Sequence, residues 1–183
     1  MKLIITEKNI AAKKIADILG DTKAKADKVY NTPVYYFTHD GEECVTVGLK
    51  GHILEVVFPT SLEYAKKAWK ATWADEEVSD APLPTDLPTP PWKKASKVFP
   101  KTGVVLTSWN IKSLPYLIWA PVGKQVAEKE IARALRTLAK RSDSIVIGTD
   151  FDREGELIGS DARDIVKAVN PTAPITRARY SAI

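Results

Sequence analysis

Apolar residues along the chain fall either in short continuous runs or at helical spacing, a pattern typical of an α/β protein. The two clearest runs, Lys2–Thr6 and Ser144–Thr149, are each followed by polar residues. Short apolar strands of this kind suit a parallel sheet covered on both faces. Helical periodicity predicts helices over 9–19, 125–140 and about 154–169. Strand–helix units at both ends of the chain therefore predict an α/β fold with a mostly parallel sheet flanked by helices.

The same periodicity predicts which side of each helix is buried. Gly20 is expected to end the first helix, because glycine often follows a last helical turn, and Asn170-Pro171 to end the last. The predicted buried stripe of the first helix contains Ile10, Ala11, Ile15, Ile18 and Leu19. That of the middle helix contains Val126, Ala127, Ile131, Leu135 and Leu138. That of the last helix contains Leu157, Ile158, Ala162, Ile165, Val166 and Val169.

Two further strands are predicted early in the chain, over Val29–Thr38 and Cys44–Leu49. Between them lies Asp40-Gly41, a dipeptide typical of a tight hairpin turn. We therefore expect these two strands to pair.

The middle of the chain differs in composition from both ends. A helix is predicted over 61–74 and a short strand over 104–107, while five of the twelve prolines lie within 82–91. Proline has no N–H to donate, so that stretch is expected to be an extended surface loop. We interpret residues 1–183 as one domain with an irregular insertion over about 61–105.

Composition narrows the partners and cofactors. The formal net charge of +4 permits a polyanionic partner without requiring one. The single cysteine, Cys44, excludes an intramolecular disulfide framework and a cysteine-based zinc site, and suits a reducing cytoplasm. With only two histidines, a divalent metal would bind carboxylates, which favours magnesium. No apolar run approaches the roughly 18 residues of a membrane span, so no membrane association is expected.

The chemically informative segment is 150–156, which follows the strand over 144–149 directly. Ligand sites of open α/β sheets lie beyond the carboxyl ends of strands. Asp150, Asp152 and Glu154 alternate there, so their carboxylates could converge on a hard cation such as Mg²⁺. Arg153 adds a charge suited to phosphate, and Gly155 permits close backbone approach at a helix N-terminus. The alternative is a solvated acidic turn that favours the following helix.

Glu7 follows the first strand in the same way. If the two strands are neighbours, Glu7 faces the later carboxylates and could act as a metal ligand or as a general acid/base. Otherwise it is a glutamate in a first helical turn. Lys8 is either an exposed lysine or a cation that stabilises phosphate charge. His52, after another strand, is either structural or part of a loop at the same edge.

Several stretches together resemble a known module. The segments TEK, GHILEV, LIWAPVGKQ, DFDREGELIG and ITRARYSAI occur in this order. They are similar to the Toprim domain, a Rossmann-like fold, at the N-terminus of type IA DNA topoisomerases, of the archaeal topoisomerase I and topoisomerase III kind. Two positions depart from the family pattern: Asn9-Ile10 stands where Pro-Ser is frequent, and Phe151 where proline is frequent. Neither change removes a carboxylate.

The resemblance implies a role for each matching residue. Asp150, Asp152 and Glu154 match the magnesium-binding triad, and Glu7 the first-strand glutamate that serves as general acid/base and further ligand. Lys8 and Arg153 match catalytic cations. His52, Arg153 and Gly155 are implied to contact DNA phosphate.

The resemblance also implies an activity for the parent enzyme. It would break single-stranded DNA through a 5′-phosphotyrosine, pass a strand and reseal the break, with Mg²⁺ and without ATP. The tyrosine would lie in another domain, so we expect Ile183 to be internal to a longer protein and this stretch, a monomer, to be inactive alone. A cytoplasmic, nucleoid-associated location follows. The alternatives are a Toprim primase or nuclease, or a non-catalytic module that binds nucleic acid or protein.

Overall fold

A computed structural model describes residues 1–57 and 123–179. The chain divides into two compact units, one made of Met1–Leu54 and Ala127–Ile183 and the other of Glu55–Val126. In the second unit, β5 (Leu54–Val57) and β6 (Gly123–Val126) form a two-stranded sheet. The predicted helix over 61–74, strand over 104–107, insertion over 61–105 and proline-rich loop over 82–91 lie outside the described residues.

The first unit is built on six strands and three helices among the residues described. In chain order these are β1 (Lys2–Thr6), α1 (Asn9–Leu19), β2 (Lys25–Val29), β3 (Thr32–His39), β4 (Glu42–Gly48), α2 (Lys129–Lys140), β7 (Ser144–Gly148), α3 (Arg153–Val169) and β8 (Ile175–Arg177). None of the helices in the described ranges combines the length and the apolar character that a membrane span requires.

The six strands form one sheet in the order β2-β3-β4-β1-β7-β8. The four strands from β4 to β8 in this order run parallel, and β2 and β3 add an antiparallel edge. The predicted α/β fold with a mostly parallel sheet is therefore confirmed. The hairpin is confirmed as well, because β3 and β4 are antiparallel and Asp40 and Gly41 both have positive φ, 50° and 77°.

The two faces of the sheet carry different helices because side chains alternate along a strand. Ile4 of β1 packs in one cluster with Ala16 of α1, so α1 lies on that face. Leu3 and Ile5 point to the opposite face and are fully buried. There α3 approaches so closely that a Cβ on Gly159 would lie 3.0 Å from Ile147 Cγ2. Helix α2 packs beside α3.

The predicted buried stripe of α1 is wrong at Ile10, Ile18 and Leu19, whereas Ile15 packs partly buried against the core cluster. Ile10 and Ile18 are 72% and 77% exposed, whereas Ala12 and Ala16 are fully buried. The small alanine side chains let the helix backbone lie close to the sheet, where the Thr46 hydroxyl donates a hydrogen bond of 2.9 Å to the Ala12 carbonyl. A larger side chain at position 12 or 16 would not fit at this distance.

Two helix details also differ from the prediction. Helix α2 begins at Lys129 and not at residue 125, because 123–126 is the strand β6. In α3 the predicted stripe is buried at Ile158, Ala162, Ile165 and Val166, but Leu157 is 50% exposed.

The strand predicted over Val29–Thr38 is in fact two strands. Tyr30 and Asn31 both have positive φ, 47° and 62°, and form a tight turn between β2 and β3. Gly20 follows α1 as predicted, but with an extended backbone, φ −68°. It is therefore not the left-handed cap that glycine usually provides.

Gly48, the last residue of β4, lies against the start of α1. A Cβ on Gly48 would lie within 2.5 Å of the Asn9 Cα. Only a residue without a side chain lets the end of β4 approach the Lys8–Asn9 backbone this closely. Gly48 therefore helps to set where the chain turns after β1.

We expect Gly48→Ala to lower the free energy of unfolding by about 1–3 kcal/mol, as overpacking does in a well-packed interior. Urea denaturation of the chain measures this directly. The control Ile10→Ala, which truncates an exposed side chain next to Asn9, should change it by no more than about 0.5 kcal/mol. Equal stability of Gly48→Ala and wild type would contradict the close approach.

Candidate metal and phosphate site

The candidate site lies where β1 and β7 end side by side. The two strands pair in parallel with Thr6 opposite Gly148. Glu7 and Lys8, which follow β1, and Asp150, which lies two residues after β7, are therefore at the same edge of the sheet. The condition set by the sequence for a shared site, that these two strands be neighbours, is met.

Lys8 connects the two strand ends. Its Nζ donates a hydrogen bond of 2.9 Å to Asp150 Oδ2 and lies 3.4 Å from Glu7 Oε1. The hydrogen bond to Asp150, with the charge of Glu7 next, raises the pKa of Lys8 above its ordinary value of 10.5. Lys8 is 63% exposed, so its ammonium group is accessible from solvent while it bridges two carboxylates.

Glu7 is the most enclosed of the three side chains, at 13% exposure against 20% for Asp150. Its Oε2 atom is buried without a hydrogen-bond partner among the described residues. A buried carboxylate oxygen that lacks a partner is costly unless a donor or cation satisfies it. The donor chemistry at this point therefore fits a cation with oxygen ligands.

The turn over 150–156 is held by backbone contacts. Asp152 precedes α3, and its Oδ1 accepts a hydrogen bond of 2.7 Å from the Gly155 N–H, which makes it the N-cap. A Cβ on Gly155 would collide with the Asp150 carbonyl oxygen and lie 2.9 Å from its carbon. The close backbone approach expected of Gly155 is thus made by the acidic turn itself.

Glu154 and Arg153 both lie at the exposed start of α3. His52 Nε2 lies 3.3 Å from Glu154 Oε1, so His52 reaches the same edge of the sheet as the acidic turn. Glu154 is 70% exposed and His52 40% exposed. Arg153 is exposed and in position to meet a ligand from solvent.

The carboxylates of the acidic turn do not form one tight cluster. Among the described residues, the group of three ligand-type side chains found within 4.8 Å of one another is Asp21, His39 and Asp40, near the C-terminal end of α1. The predicted site is more open: Asp150 faces Lys8 and Glu7, Asp152 caps α3, and Glu154 faces His52. Carboxylates repel, so they spread among these partners.

The sequence analysis assigned no role to Arg177, which ends β8, or to Arg179, which follows it. Arg177 bonds the Asp150 carbonyl and the Glu156 carboxylate, and the Arg179 guanidinium lies 5.5 Å from the centre of the Phe151 ring. Both arginines therefore contact the acidic turn. Both arginines belong to the RARYSAI segment, which the sequence analysis used only as part of the family resemblance. Their contacts could not be predicted, because periodicity does not show that β8 lies next to β7.

Comparison with known proteins identifies the family of this chain. Residues 2–183 match the Toprim domain. A DNA topoisomerase 1 from Archaeoglobus fulgidus is 34% identical over 99% of this chain, which covers 20% of that relative. A DNA topoisomerase 3 from Schizosaccharomyces pombe is 29% identical over 98% of this chain and 23% of its own length.

The chain therefore belongs to the Toprim domain family. The resemblance to archaeal topoisomerase I and topoisomerase III that its motifs indicated is confirmed. The chain spans about a fifth of the length of the curated relatives that it matches.

The contacts of Lys8 with Asp150 and Glu7 predict that its amine titrates with a pKa above the ordinary lysine value. Because Asp150 and Glu7 favour the charged amine, its stabilising contribution is present below the ordinary pKa of 10.5 and is lost as pH rises through the higher folded value. NMR titration of the Lys8 side chain should show this, and Asp150→Asn should bring the pKa down. Asp17→Asn, further along α1, should leave it unchanged. An equal Lys8 pKa in wild type and in Asp150→Asn would refute the contact between Lys8 and Asp150.

Proposed function

We propose that this chain is the metal-binding catalytic portion of a type IA DNA topoisomerase. The observation that carries the proposal is the meeting of Glu7, Lys8 and Asp150 at the adjacent ends of β1 and β7. A carboxylate that can exchange a proton, a carboxylate that can bind a metal and a cation, placed at the ends of two paired strands, are groups that phosphoryl transfer uses. Family membership and the topoisomerase relatives support the assignment.

The proposed cofactor is Mg²⁺, held by Asp150, Asp152 and Glu154, with Glu7 as a further ligand. When bound, it would supply positive charge against the phosphates around the scissile bond. The residues present fit such an ion, because Glu7 Oε2 is buried without a partner among the described side chains and the turn is rich in carboxylates.

Glu7 is proposed as the general acid/base. A side chain that is 13% exposed, beside a lysine and an aspartate, can give a proton to the departing 3′ oxygen and take it back on religation. Lys8 would stabilise the charge that develops on the phosphate, since its amine already lies between two carboxylates and is accessible from solvent.

Three further residues are proposed to contact DNA phosphate. Arg153 presents an exposed guanidinium at the start of α3, where the helix N-terminus also favours anions. Gly155 keeps the backbone close at that point. His52, which lies 3.3 Å from Glu154, would complete the edge.

The whole-protein activity is part of the same proposal. The parent enzyme would open one strand of single-stranded DNA through a tyrosine outside this chain, pass a strand and reseal the break without ATP. The partners are therefore DNA and the remaining domains. The chain's monomeric state and its cytoplasmic, nucleoid-associated location stay predictions, as does its division into one domain with an insertion over 61–105.

Metal binding can be tested on the chain itself. Titration calorimetry should give Mg²⁺ binding with a Kd on the order of a millimolar or somewhat below, since few protein ligands are used. Asp152→Asn should weaken it by about tenfold or more, while still capping α3 because asparagine caps as well as aspartate.

Asp164→Asn is the matched control, because Asp164 lies on the same helix but pairs with Arg163. It should not affect the titration. Binding that is unaffected by Asp152→Asn would refute the metal assignment, and absence of binding to the wild type would do so directly.

DNA assays separate this proposal from its alternatives. The chain alone should neither relax supercoiled DNA nor release free ends. In a parent enzyme that includes the tyrosine domain, Glu7→Gln should lower the relaxation rate by about 10²–10⁴-fold, the usual contribution of a general acid/base.

Free DNA ends produced without covalent protein would favour a Toprim nuclease or primase. Metal-independent DNA binding that survives Glu7→Gln together with Asp152→Asn, in a parent protein without relaxation activity, would favour a non-catalytic module.

A further inference from the structure

We infer that Arg177 is a positioning residue that holds the acidic turn in its conformation, acting through the backbone of Asp150 and the carboxylate of Glu156. The part of this inference that concerns metal affinity rests on the proposed function. The part that concerns the turn itself does not.

One guanidinium group reaches three elements. Arg177 Nη1 donates to the Ile147 carbonyl in β7 at 3.2 Å and also to the Ala178 carbonyl, while Nη2 donates to the Asp150 carbonyl at 3.1 Å. Nη2 and Nε donate to Glu156 Oε1 in α3, at 2.8 and 3.2 Å. The end of β7, the acidic turn and the first turn of α3 are therefore joined at a single side chain.

The Asp150 carbonyl is enclosed from two directions. Gly155 leaves no room for a side chain next to that carbonyl, and Arg177 donates to its oxygen. The orientation of a carbonyl sets the peptide plane that follows the residue, because the peptide unit is planar. Arg177 and Gly155 thus fix the backbone from which the Asp150 carboxylate projects toward Lys8.

The contacts require the planar fork of arginine. Five N–H groups in a fixed plane can bond a carboxylate and three carbonyls at once, whereas a lysine ammonium is a compact point charge on a flexible stem. Arg177 is 20% exposed and its partner Glu156 47% exposed, so water competes only in part. A lysine at 177 would keep the charge and lose the geometry.

The variant Arg177→Lys therefore tests position separately from charge. Amide hydrogen exchange is measured without metal at the Gly155 N–H, which bonds Asp152 inside the turn. We expect exchange there to be about tenfold faster in Arg177→Lys than in wild type, because the turn opens locally without global unfolding. Arg163→Lys, on the exposed side of α3 beside Asp164, is the control and should exchange as wild type does.

Magnesium affinity is the second measurement. If the turn presents the ligands, Arg177→Lys should raise the Mg²⁺ Kd about tenfold, as loss of a group that orients metal ligands does elsewhere. Glu156→Gln should have a smaller effect in the same direction. In the double variant, Glu156→Gln should raise the Mg²⁺ Kd little beyond the effect of Arg177→Lys. Both changes break the same contact, the one between Arg177 and Glu156.

The outcomes are distinguishable. A lower urea midpoint for Arg177→Lys, with unchanged Gly155 exchange and unchanged Mg²⁺ affinity, would overturn the inference and leave Arg177 a structural residue. A wild-type chain that binds no Mg²⁺ would refute the proposed metal site, and the exchange measurement would still decide the role of Arg177. If Arg177→Ala unfolds the chain, the lysine variant carries the test.

Discussion

The site depends on the parallel pairing of β1 with β7 in the register that sets Thr6 opposite Gly148. The first residues of the chain and those near 150 are distant in sequence. The pairing of β1 with β7 brings the ends of these two strands to one edge of the sheet. A slip of one residue would turn the side chains of β1 to the other face of the sheet. The alternation of Leu3 and Ile5 with Ile4 opposes such a slip, because each face has its own buried layer. The apolar core thus specifies the geometry of the polar edge.

Part of the negative charge at this edge is offset within the chain. Glu7 and Asp150 would repel each other, and Lys8 lies between them. One ammonium group therefore offsets part of the charge of two carboxylates, while Glu7 Oε2 has no hydrogen-bond partner among the described residues. A phosphate or a metal ion that enters the site would change the partners of Lys8. The amine of Lys8 is charged at neutral pH already at its ordinary pKa of 10.5, and the hydrogen bond to Asp150, with the charge of Glu7 next, raises that pKa further.

The sequence predicted the elements whose signals are local. Lys2–Thr6 and Asn9–Leu19 were predicted with the observed bounds, and the acidic turn was predicted at the end of β7 because a short apolar strand leads directly into carboxylates. What depends on tertiary approach was not predictable. Strand β2 (Lys25–Val29) is an exposed edge strand without apolar alternation, so its sequence carries no strand pattern. The buried side of α1 is set by how closely Ala12 lets the helix approach the sheet, and hydrophobicity alone favoured the isoleucines.

The same distinction applies within the site. The carboxylates were predicted as metal ligands because they follow a strand and lie in a segment that resembles a family motif, and a ligand role for them stays a prediction. The residues that hold them are a glycine without room for a side chain and an arginine that bonds main-chain carbonyls. Close backbone approach at the glycine was predicted from the sequence, whereas the contacts of the arginine were not. Because a carbonyl accepts from any suitable donor, the Arg177 contacts depend on where β8 lies and not on which residue Asp150 is. The side chains thus determine which chemical groups lie at this edge, and these can be identified in the sequence. The backbone determines where the groups lie, and this is known only from the folded sheet.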